Sequence, residues 1–153
     1  MPTVEERLAA LGLTVHEVIP PVAAYVPAVI SGRYVFTAGQ LPFVDGVLAE
    51  TGKVGAEVTP ERASELAAIC ALNAIAAVKS VVPLESVVRV VKVVGFVASA
   101  PDFTGQPGVM NGASNLLLEA FGEIGAHARS AVGVAVLPLD APVEVELIVE
   151  VAD

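Results

Sequence analysis

Arg129 is the side chain of this sequence whose surroundings best suit the capture of an anion. It begins a run of alternating residues in which Ala131, Gly133 and Ala135 share its side and valines take the other. A guanidinium presents a planar fork of donors that matches the two oxygens of a carboxylate. Small neighbours leave room for a ligand or for a packed helix. The alternative, which the residue pattern alone favours, is a structural ion pair with a strand glutamate.

A second alternating run near the end of the chain carries the glutamates that bear on this alternative. Val143 to Val151 places apolar residues on one face and Glu144, Glu146 and Glu150 on the other. In a direct hairpin with matched valine faces, Arg129 would lie opposite Glu150 and roughly 20 Å from Glu144. Arg129 and Glu144 of one chain could not then act together. Either the two strands are not neighbours in the sheet, or a shared site uses two chains.

The other reactive side chains form no recognisable catalytic or metal-binding motif. Cys70 lies in an apolar helical run and is predicted to be a core residue. His127 precedes Arg129 by two residues, so a proton-transfer role is open, although a solvated histidine at a strand edge is favoured. His16 has no visible partner. Two histidines and one cysteine without ligand spacing predict no metal site, and no nucleophile elbow or phosphate-binding loop is present.

Three helices are predicted from caps and hydrophobic periodicity. Thr3 and Glu6 form a capping box, so a short helix is expected from about Val4 to Leu11, before Gly12. Thr59-Pro60 opens a long apolar helix that is predicted to end near residue 80. A third helix is predicted over residues 111–124, followed by a glycine.

Alternating and valine-rich segments predict the strands. After a segment bounded by Pro20 and Pro21, strands are expected up to residue 29 and over 33–38, 87–97, 129–136 and 143–151, with a bulge at Gly95. This order predicts an α+β fold in which two main helices pack on one face of a mixed sheet, with a short N-terminal helix added. Residues 1–153 are expected to form a single domain.

Composition limits the partners. Of the 153 residues, 55% are hydrophobic and 16% are charged, so we expect part of the apolar surface to be buried between subunits. Eight scattered Lys and Arg stand against 17 Asp and Glu, which disfavours nucleic-acid binding. The acidic N-terminus does not resemble a signal peptide, and charges interrupt the most apolar stretch, 81–100. We therefore expect no membrane span and a cytoplasmic location.

Short blocks of a recognisable pattern are spread along the chain in consistent order. They are Ala24-Tyr25-Val26, Thr37 to Pro42, Phe96 to Phe103, Asn115 with Glu119 to Phe121, Ala128 to Val134, Leu137-Pro138 and Val143 to Glu146. The closing blocks combine an Arg-Ser start, an apolar strand, a Leu-Pro turn and a Val-Glu-Val-Glu end. From about residue 22 to its end, the chain therefore resembles the YjgF/RidA family, whose members include the L-PSP endoribonuclease-like proteins.

The resemblance implies a YjgF/chorismate-mutase-like fold and a homotrimer with clefts between subunits. Characterised members hydrolyse small 2-imino and enamine acids to 2-oxo acids and ammonia, without a metal or organic cofactor. By position, Arg129 matches the residue that clamps the substrate carboxylate, and Glu144 matches the acid that positions water. Further matches to cleft residues are Tyr25, Gly39, Gln40 and Asn115.

Two departures from the family pattern leave rival functions open. Ala131 stands where the deaminase branch commonly has Cys, and Gly133 stands where it commonly has an acid. Both changes are expected to enlarge or reshape the cleft. The leading interpretation is an imine or enamine deaminase that binds a small carboxylate. The alternatives are a non-catalytic carboxylate-binding regulatory protein and, disfavoured by the acidic composition, RNA cleavage or translation inhibition.

Overall fold

The computed structural model describes residues 1–18, 21 and 23–153. Pro20, predicted to bound the segment before the first strand, lies outside this part of the chain. The helices are α1 (Val4–Ala10), α2 (Pro60–Lys79) and α3 (Gln106–Phe121). The strands are β1 (Ala28–Ser31), β2 (Tyr34–Thr37), β3 (Phe43–Val44), β4 (Val47–Leu48), β5 (Val87–Ala98), β6 (Ala128–Val134) and β7 (Val143–Val151).

The caps predicted for the first two helices are confirmed. The Thr3 hydroxyl accepts a hydrogen bond from the Glu6 backbone N–H at 3.1 Å, and the Glu6 carboxylate accepts from the Thr3 N–H at 2.8 Å. At the start of α2, the Thr59 hydroxyl accepts from the Arg62 N–H at 3.1 Å, with Pro60 in the first turn. Burial of α2 is nearly continuous from its second turn onward, as its apolar composition predicts.

The third helix begins at Gln106, five residues before the predicted start, and it ends at Phe121. Pro107, with Gly105 and Gly108 on either side, gave residues 105–110 the composition of a loop. Pro107 lies in the first turn, where a missing N–H costs nothing. Gly112 lies where α3 crosses α2, and a Cβ there would stand 2.7 Å from the backbone carbonyl carbon of Ser64. Close helix packing therefore requires this glycine.

Two glycines of α3 give a matched prediction about stability. Gly112→Ala is expected to destabilise the fold by about 1–3 kcal/mol or more, because the new methyl group collides with the α2 backbone. Gly108→Ala has open space around the new methyl group and is expected to stabilise the fold by about 0.4–1 kcal/mol. Chemical denaturation of both variants measures the difference. Equal stabilities would contradict the packing described for α2 and α3.

The main sheet has the order β1-β2-β7-β5-β6, with β5 and β6 parallel and the other pairs antiparallel. The predicted mixed sheet is confirmed, and β6 and β7 are not neighbours because β5 lies between them. The expected bulge at Gly95 is wrong: Gly95 pairs regularly with Val145, and the irregularities lie between residues 87 and 92. Gly95 instead leaves room for the Met110 side chain of α3.

The two faces of the sheet differ. The helix face packs on α2 and α3 and buries the core, including Val93, Leu147 and Cys70, whose predicted core position is confirmed. Burial is the larger cause that raises the pKa of the Cys70 thiol well above its ordinary value, with the Glu144 charge adding to it. The opposite face, called here the open face, leaves Tyr34 and Phe36 exposed.

Asp45-Gly46 joins β3 and β4 in a small hairpin that was not predicted. Both residues have positive φ, 51° and 80°, as tight hairpin turns require. Within the described ranges, no helix is long and apolar enough to cross a membrane.

Candidate functional site

Arg129 lies on the helix face of β6, against α3. Its partner on β5 is Val93, which in turn pairs with Leu147 of β7, and both partners are buried in the core. Residues paired across a sheet point to the same face. The Arg129 Nη1 donates hydrogen bonds to the Asn111 Oδ1 at 2.9 Å and to the Ser114 Oγ at 3.2 Å. Two neutral acceptors on α3 therefore hold the guanidinium.

The ion pair proposed as the alternative for Arg129 is wrong. In the described part of the chain, no carboxylate lies within ion-pair distance of this guanidinium. The ion pairs involve other cations: Arg33 with Glu150 and Asp153, Arg62 with Glu50 and Glu65, and Lys79 with Glu5. The charge of Arg129 is thus not neutralised by an acid among the described residues of its own chain.

His127 shares the arginine's surroundings through Ser114. Its Nε2 lies 2.9 Å from the Ser114 Oγ, and its Nδ1 lies 2.6 Å from the carbonyl oxygen of Gly125. A carbonyl oxygen only accepts, so Nδ1 carries the proton, and in the neutral ring Nε2 accepts from the Ser114 hydroxyl. The expectation of a solvated histidine at a strand edge is wrong, because both ring nitrogens bind protein groups.

Asn115, predicted as a cleft residue, is exposed on α3 one turn after Asn111 and next to Ser114. Residues three and four positions apart share a helix face, so these three polar groups form one strip of α3, of which Asn111 and Ser114 contact Arg129. Asn111 and Ser114 were not predicted as site residues. The pattern that could have indicated them is their spacing from Asn115, which places three polar residues on one face of an otherwise apolar helix. We call Arg129, Asn111, Ser114 and Asn115 the arginine half-site.

Glu144 lies on the open face, beside Gly39. It is half-buried, and a Cβ on Gly39 would stand 2.8 Å from the carboxyl carbon of Glu144. Gln40 and Val145 exchange backbone hydrogen bonds of 2.8 and 3.0 Å, which continue the pairing of the chain with β7 beyond the end of β2. This pairing holds Gly39 next to the Glu144 carboxylate. We call Gly39, Gln40 and Glu144 the glutamate half-site.

The glutamate half-site is adapted to hold a proton more readily than an exposed acid. Burial is the larger cause that raises the pKa of the Glu144 carboxyl above its ordinary value, and the negative charge of Glu146 adds to it. Glu146 lies two residues further along the same face of β7. A carboxyl of this kind is suited to accept a proton from water near neutral pH.

One chain does not bring Arg129 and Glu144 together. They occupy opposite faces of the sheet, on β6 and β7, which β5 separates. The spacing between β6 and β7 is about 10 Å, so the two side chains are at least that far apart. Tyr25 is exposed in the irregular segment before β1. Two shallow depressions of about 450 and 370 Å³ border the end of α2, and neither is lined by Arg129 or Glu144. Apart from Tyr25, the predicted site residues thus form two separate groups.

The departure at Gly133 does not enlarge the space beside Arg129. A Cβ on Gly133 would stand 2.7 Å from the Nε2 of Gln106, whose amide donates to the Ser99 Oγ at 3.1 Å and to the Phe103 carbonyl at 2.9 Å. Gln106 therefore occupies the volume that a side chain at 133 would fill. The expected enlargement is wrong at this position, because the start of α3 closes it.

No cluster of three or more His, Cys, Asp or Glu side chains is placed to hold a metal ion among the residues that the structure describes. The arginine half-site instead offers a cation among neutral hydrogen-bonding groups. The glutamate half-site offers a carboxyl group beside a glycine. The first arrangement can bind a carboxylate, and the second can orient a water molecule.

Known proteins resemble this chain over nearly its whole length. A family model described as "YjgF/chorismate_mutase-like, putative endoribonuclease" matches residues 5–151. Protein TCP17 of Trypanosoma cruzi is 43% identical over 149 residues, which cover 96% of this chain and 93% of that protein. A crystal structure of a protein of unknown function from Agrobacterium tumefaciens is 46% identical with a TM-score of 0.91, covering 99% of this chain and 94% of that one.

A second crystal structure, of a protein named as an endoribonuclease candidate from Shewanella oneidensis, is 34% identical. It superposes with a TM-score of 0.95 and covers 98% of this chain and all of its own. These likenesses confirm the α+β fold expected from the sequence, with its helices on one face of a mixed sheet. By its fold, its motifs and the match of residues 5–151, the chain belongs to the YjgF/chorismate mutase-like family.

Proposed function

We propose that the protein hydrolyses small 2-imino and enamine acids to 2-oxo acids and ammonia, at sites shared between two copies of the chain. The observation that carries the proposal is the guanidinium of Arg129, which is held by Asn111 and Ser114 through one nitrogen only. Its Nε and Nη2 make no hydrogen bond within the described residues. Two parallel donors are therefore available for a carboxylate.

Hydrolysis of an imine requires mainly that the protein position the substrate and a water molecule. An imine carbon is already electrophilic, so the reaction needs an oriented substrate, a water molecule and proton transfer to the departing nitrogen. Arg129 fixes the carboxylate end. A Glu144 carboxylate at the other end orients the water and takes its proton, a role suited to its raised pKa. None of these steps calls for a metal or an organic cofactor.

A second copy must supply the second half-site, because one chain keeps Arg129 and Glu144 on opposite faces. Tyr34 and Phe36 leave aromatic surface on the open face of the sheet, 43% and 40% exposed. Burying these rings against another copy is favourable and brings the Glu144 of one chain toward the edge strand of its neighbour. We propose the closed homotrimer that the family resemblance implies, located in the cytoplasm.

Gly39 provides a prediction about the glutamate half-site. Gly39→Ala places a methyl group where the Glu144 carboxylate lies, so the carboxylate must move. Misplacement of a catalytic group by about 1 Å lowers rates about 100-fold, and we expect a loss of that size in kcat. Gly108→Ala, with no neighbour near its new methyl group, is the control. Unchanged kcat in Gly39→Ala would contradict the assigned position of Glu144.

The function is tested by generating imino acids in place. An amino-acid oxidase or dehydratase releases the imine, and 2-oxo acid formation is followed with and without the protein. We expect the protein to accelerate formation of the 2-oxo acid above the spontaneous rate, and Arg129→Ala to abolish the acceleration. No acceleration by the wild type, or equal acceleration by Arg129→Ala, would contradict the proposal.

A second candidate function is binding of a small carboxylate without turnover. Ala131, in the place of the common Cys, and the filled space at Gly133 favour it, because both remove groups that the deaminase branch carries near its clamp. Thermal-shift measurements with 2-oxo acids separate the two candidates: Arg129-dependent stabilisation without turnover supports binding alone.

The net charge of −9 weighs against RNA cleavage, and a salt-sensitive affinity for RNA would contradict this assessment.

A further inference from the structure

A chain of hydrogen bonds behind Arg129 runs in one direction from the backbone to the guanidinium. The Gly125 carbonyl oxygen accepts from the His127 Nδ1–H at 2.6 Å, which leaves Nε2 of the neutral ring as an acceptor. The Ser114 Oγ lies 2.9 Å from this Nε2, so the single proton of the hydroxyl points to His127. The serine oxygen then presents its lone pairs to the Arg129 Nη1 at 3.2 Å. The histidine thus makes the serine an acceptor for the arginine.

Close packing fixes the backbone group at the start of this chain. Gly125 is buried at the end of the 3₁₀ helix Gly122–Gly125, which follows α3. A Cβ on Gly125 would stand 2.5 Å from the carbonyl oxygen of Leu117, so its backbone lies directly against that of α3. Ser114 is part of the same helix. Both partners of the His127 ring are therefore held by α3, and the ring has a fixed position relative to that helix.

The contacts of Nη1 determine which edge of the guanidinium stays open. Nη1 carries two N–H groups. The Asn111 Oδ1 accepts one at 2.9 Å, and the Ser114 Oγ accepts the other. The donors on Nε and Nη2 form the opposite edge, and their parallel N–H bonds match the two oxygens of a carboxylate. Two acceptors on α3 thus fix both the position and the rotation of the edge that receives the substrate in the proposed function.

Without the histidine, the serine hydroxyl has a competing partner in its own helix. A serine inside a helix can donate to the carbonyl oxygen four residues earlier, which for Ser114 is that of Met110. This bond turns the serine oxygen back toward the helix backbone. Nη1 of Arg129 would then keep Asn111 alone, and one hydrogen bond leaves the guanidinium free to rotate. The acceptor on His127 is therefore the group that keeps the serine oxygen beside the arginine.

We propose that His127 and Ser114 are positioning residues, which hold the Arg129 guanidinium in the orientation that receives the carboxylate of the substrate. The inference rests on the proposed function, because that function places a carboxylate at the open edge of Arg129. In this role neither residue exchanges a proton with the substrate, and each acts through the arginine. A guanidinium that is not held in advance must be ordered by the ligand, which lowers the affinity for a carboxylate by about 2- to 10-fold.

Two substitutions of His127 separate positioning from packing. His127→Phe keeps a ring but offers Ser114 no acceptor, whereas His127→Gln loses the ring and offers an amide oxygen. We expect His127→Phe and Ser114→Ala to raise the dissociation constant of pyruvate, the simplest 2-oxo acid, about 10-fold, and His127→Gln to raise it less than about 3-fold. The double variant should lose no more than either single one. KM in the imine assay should rise with the dissociation constant, and kcat should change less. His16→Phe, at an exposed histidine, is the control.

Arg129→Ala separates failure of this inference from failure of the function. If Arg129→Ala abolishes turnover while His127→Phe and Ser114→Ala bind pyruvate as the wild type does, the positioning role is wrong and the function stands. The reverse order at position 127, with His127→Gln impaired and His127→Phe unaffected, shows that the ring only packs and also overturns the inference. Weaker binding in His127→Phe and Ser114→Ala, with no imine hydrolysis by the wild type, supports the positioning role and overturns the function.

Nitrogen NMR adds two readouts that need no ligand. In the wild type, neutral His127 should carry its proton on Nδ1, and a proton on Nε2 overturns the inference. A guanidinium held through Nη1 should rotate slowly about its Nε–Cζ bond, so Arg129 should give separate Nη1 and Nη2 signals. These signals should merge in His127→Phe. Separate signals in both proteins would show that Asn111 alone holds the guanidinium, which also overturns the inference.

Discussion

Arg129→Ala is expected to lower kcat/KM for imino-acid hydrolysis about 100- to 1,000-fold, because truncating one partner of a desolvated charge pair costs about 2–5 kcal/mol. The fold should tolerate the change. Arg129 makes no ion pair with the described acids, and its partners Asn111 and Ser114 lie at positions where water can replace it. Steady-state kinetics with an imine-generating enzyme measures the effect, and thermal unfolding confirms that the variant is folded.

Two arginine variants refine the result. Arg129→Lys keeps the charge but loses the planar fork, so an intermediate loss is expected, carried mostly by KM. Arg62→Ala removes a guanidinium that is already paired with Glu50 and Glu65, and kcat/KM should stay at the wild-type level. A similar loss in Arg62→Ala would mean that overall charge, and not the position of Arg129, determines activity.

Glu144→Gln is expected to lower kcat by about 100-fold or more, because a glutamine cannot take the proton of the attacking water. Stability should not fall. The raised pKa means that the folded chain binds the Glu144 proton more tightly than the unfolded chain does. The charged carboxylate therefore destabilises the fold at neutral pH, with a cost that grows as pH rises through the raised pKa. Glutamine removes this cost, so unfolding at neutral pH should require equal or higher denaturant.

Glu146 provides the matched control on the same strand. Activity should fall as pH drops through the raised pKa of Glu144, because protonation removes the base. Glu146→Gln removes the neighbouring charge that contributes to the shift, so this acidic limit should move to lower pH while kcat at neutral pH is retained. An unchanged acidic limit in Glu146→Gln, or full activity in Glu144→Gln, would show that another group limits the rate.

The fold was largely predictable from local signals, and its exceptions have tertiary causes. Capping boxes and alternating valines act within a few residues, so α1, α2, β6 and β7 were placed to within about two residues at their ends. The start of α3 was not, because Pro107 and Gly108 gave residues 106–110 the composition of a loop, although a proline is tolerated in the first turn of a helix. Gly95 was predicted to form a bulge from its local sequence, but its missing side chain makes room for Met110 of another element.

The candidate site was only half predictable, because its contacts join distant parts of the chain. A direct hairpin was expected to separate Arg129 from Glu144, but β6 and β7 are not neighbours, and the two residues are separated because they lie on opposite faces of the sheet. The insertion of β5 between those strands depends on sheet order, which no local pattern determines. The contact of His127 with Ser114 joins the residue just before β6 to the preceding helix. No local pattern determines this contact either, since each residue taken alone has an ordinary surface role.

The division of the predicted site into two half-sites has a consequence for evolution and engineering. Under the proposed function, a substitution in the arginine half-site would change how the substrate is held, whereas one beside Glu144 would change the position of the water and the transfer of its proton. We therefore expect substitutions of Asn111 and Asn115 on α3 to change substrate choice without disturbing the Glu144 carboxyl group.

Mixing two inactive variants tests the shared site most directly. Arg129→Ala and Glu144→Gln are co-expressed with different tags, and the hybrid assemblies are purified and assayed with the imine-generating enzyme. Each variant alone should be inactive, whereas each purified hybrid trimer has one boundary that joins an intact arginine to an intact glutamate, so about one third of its sites should recover turnover. Hybrids as inactive as their parents would show that the two residues do not meet across a boundary between chains.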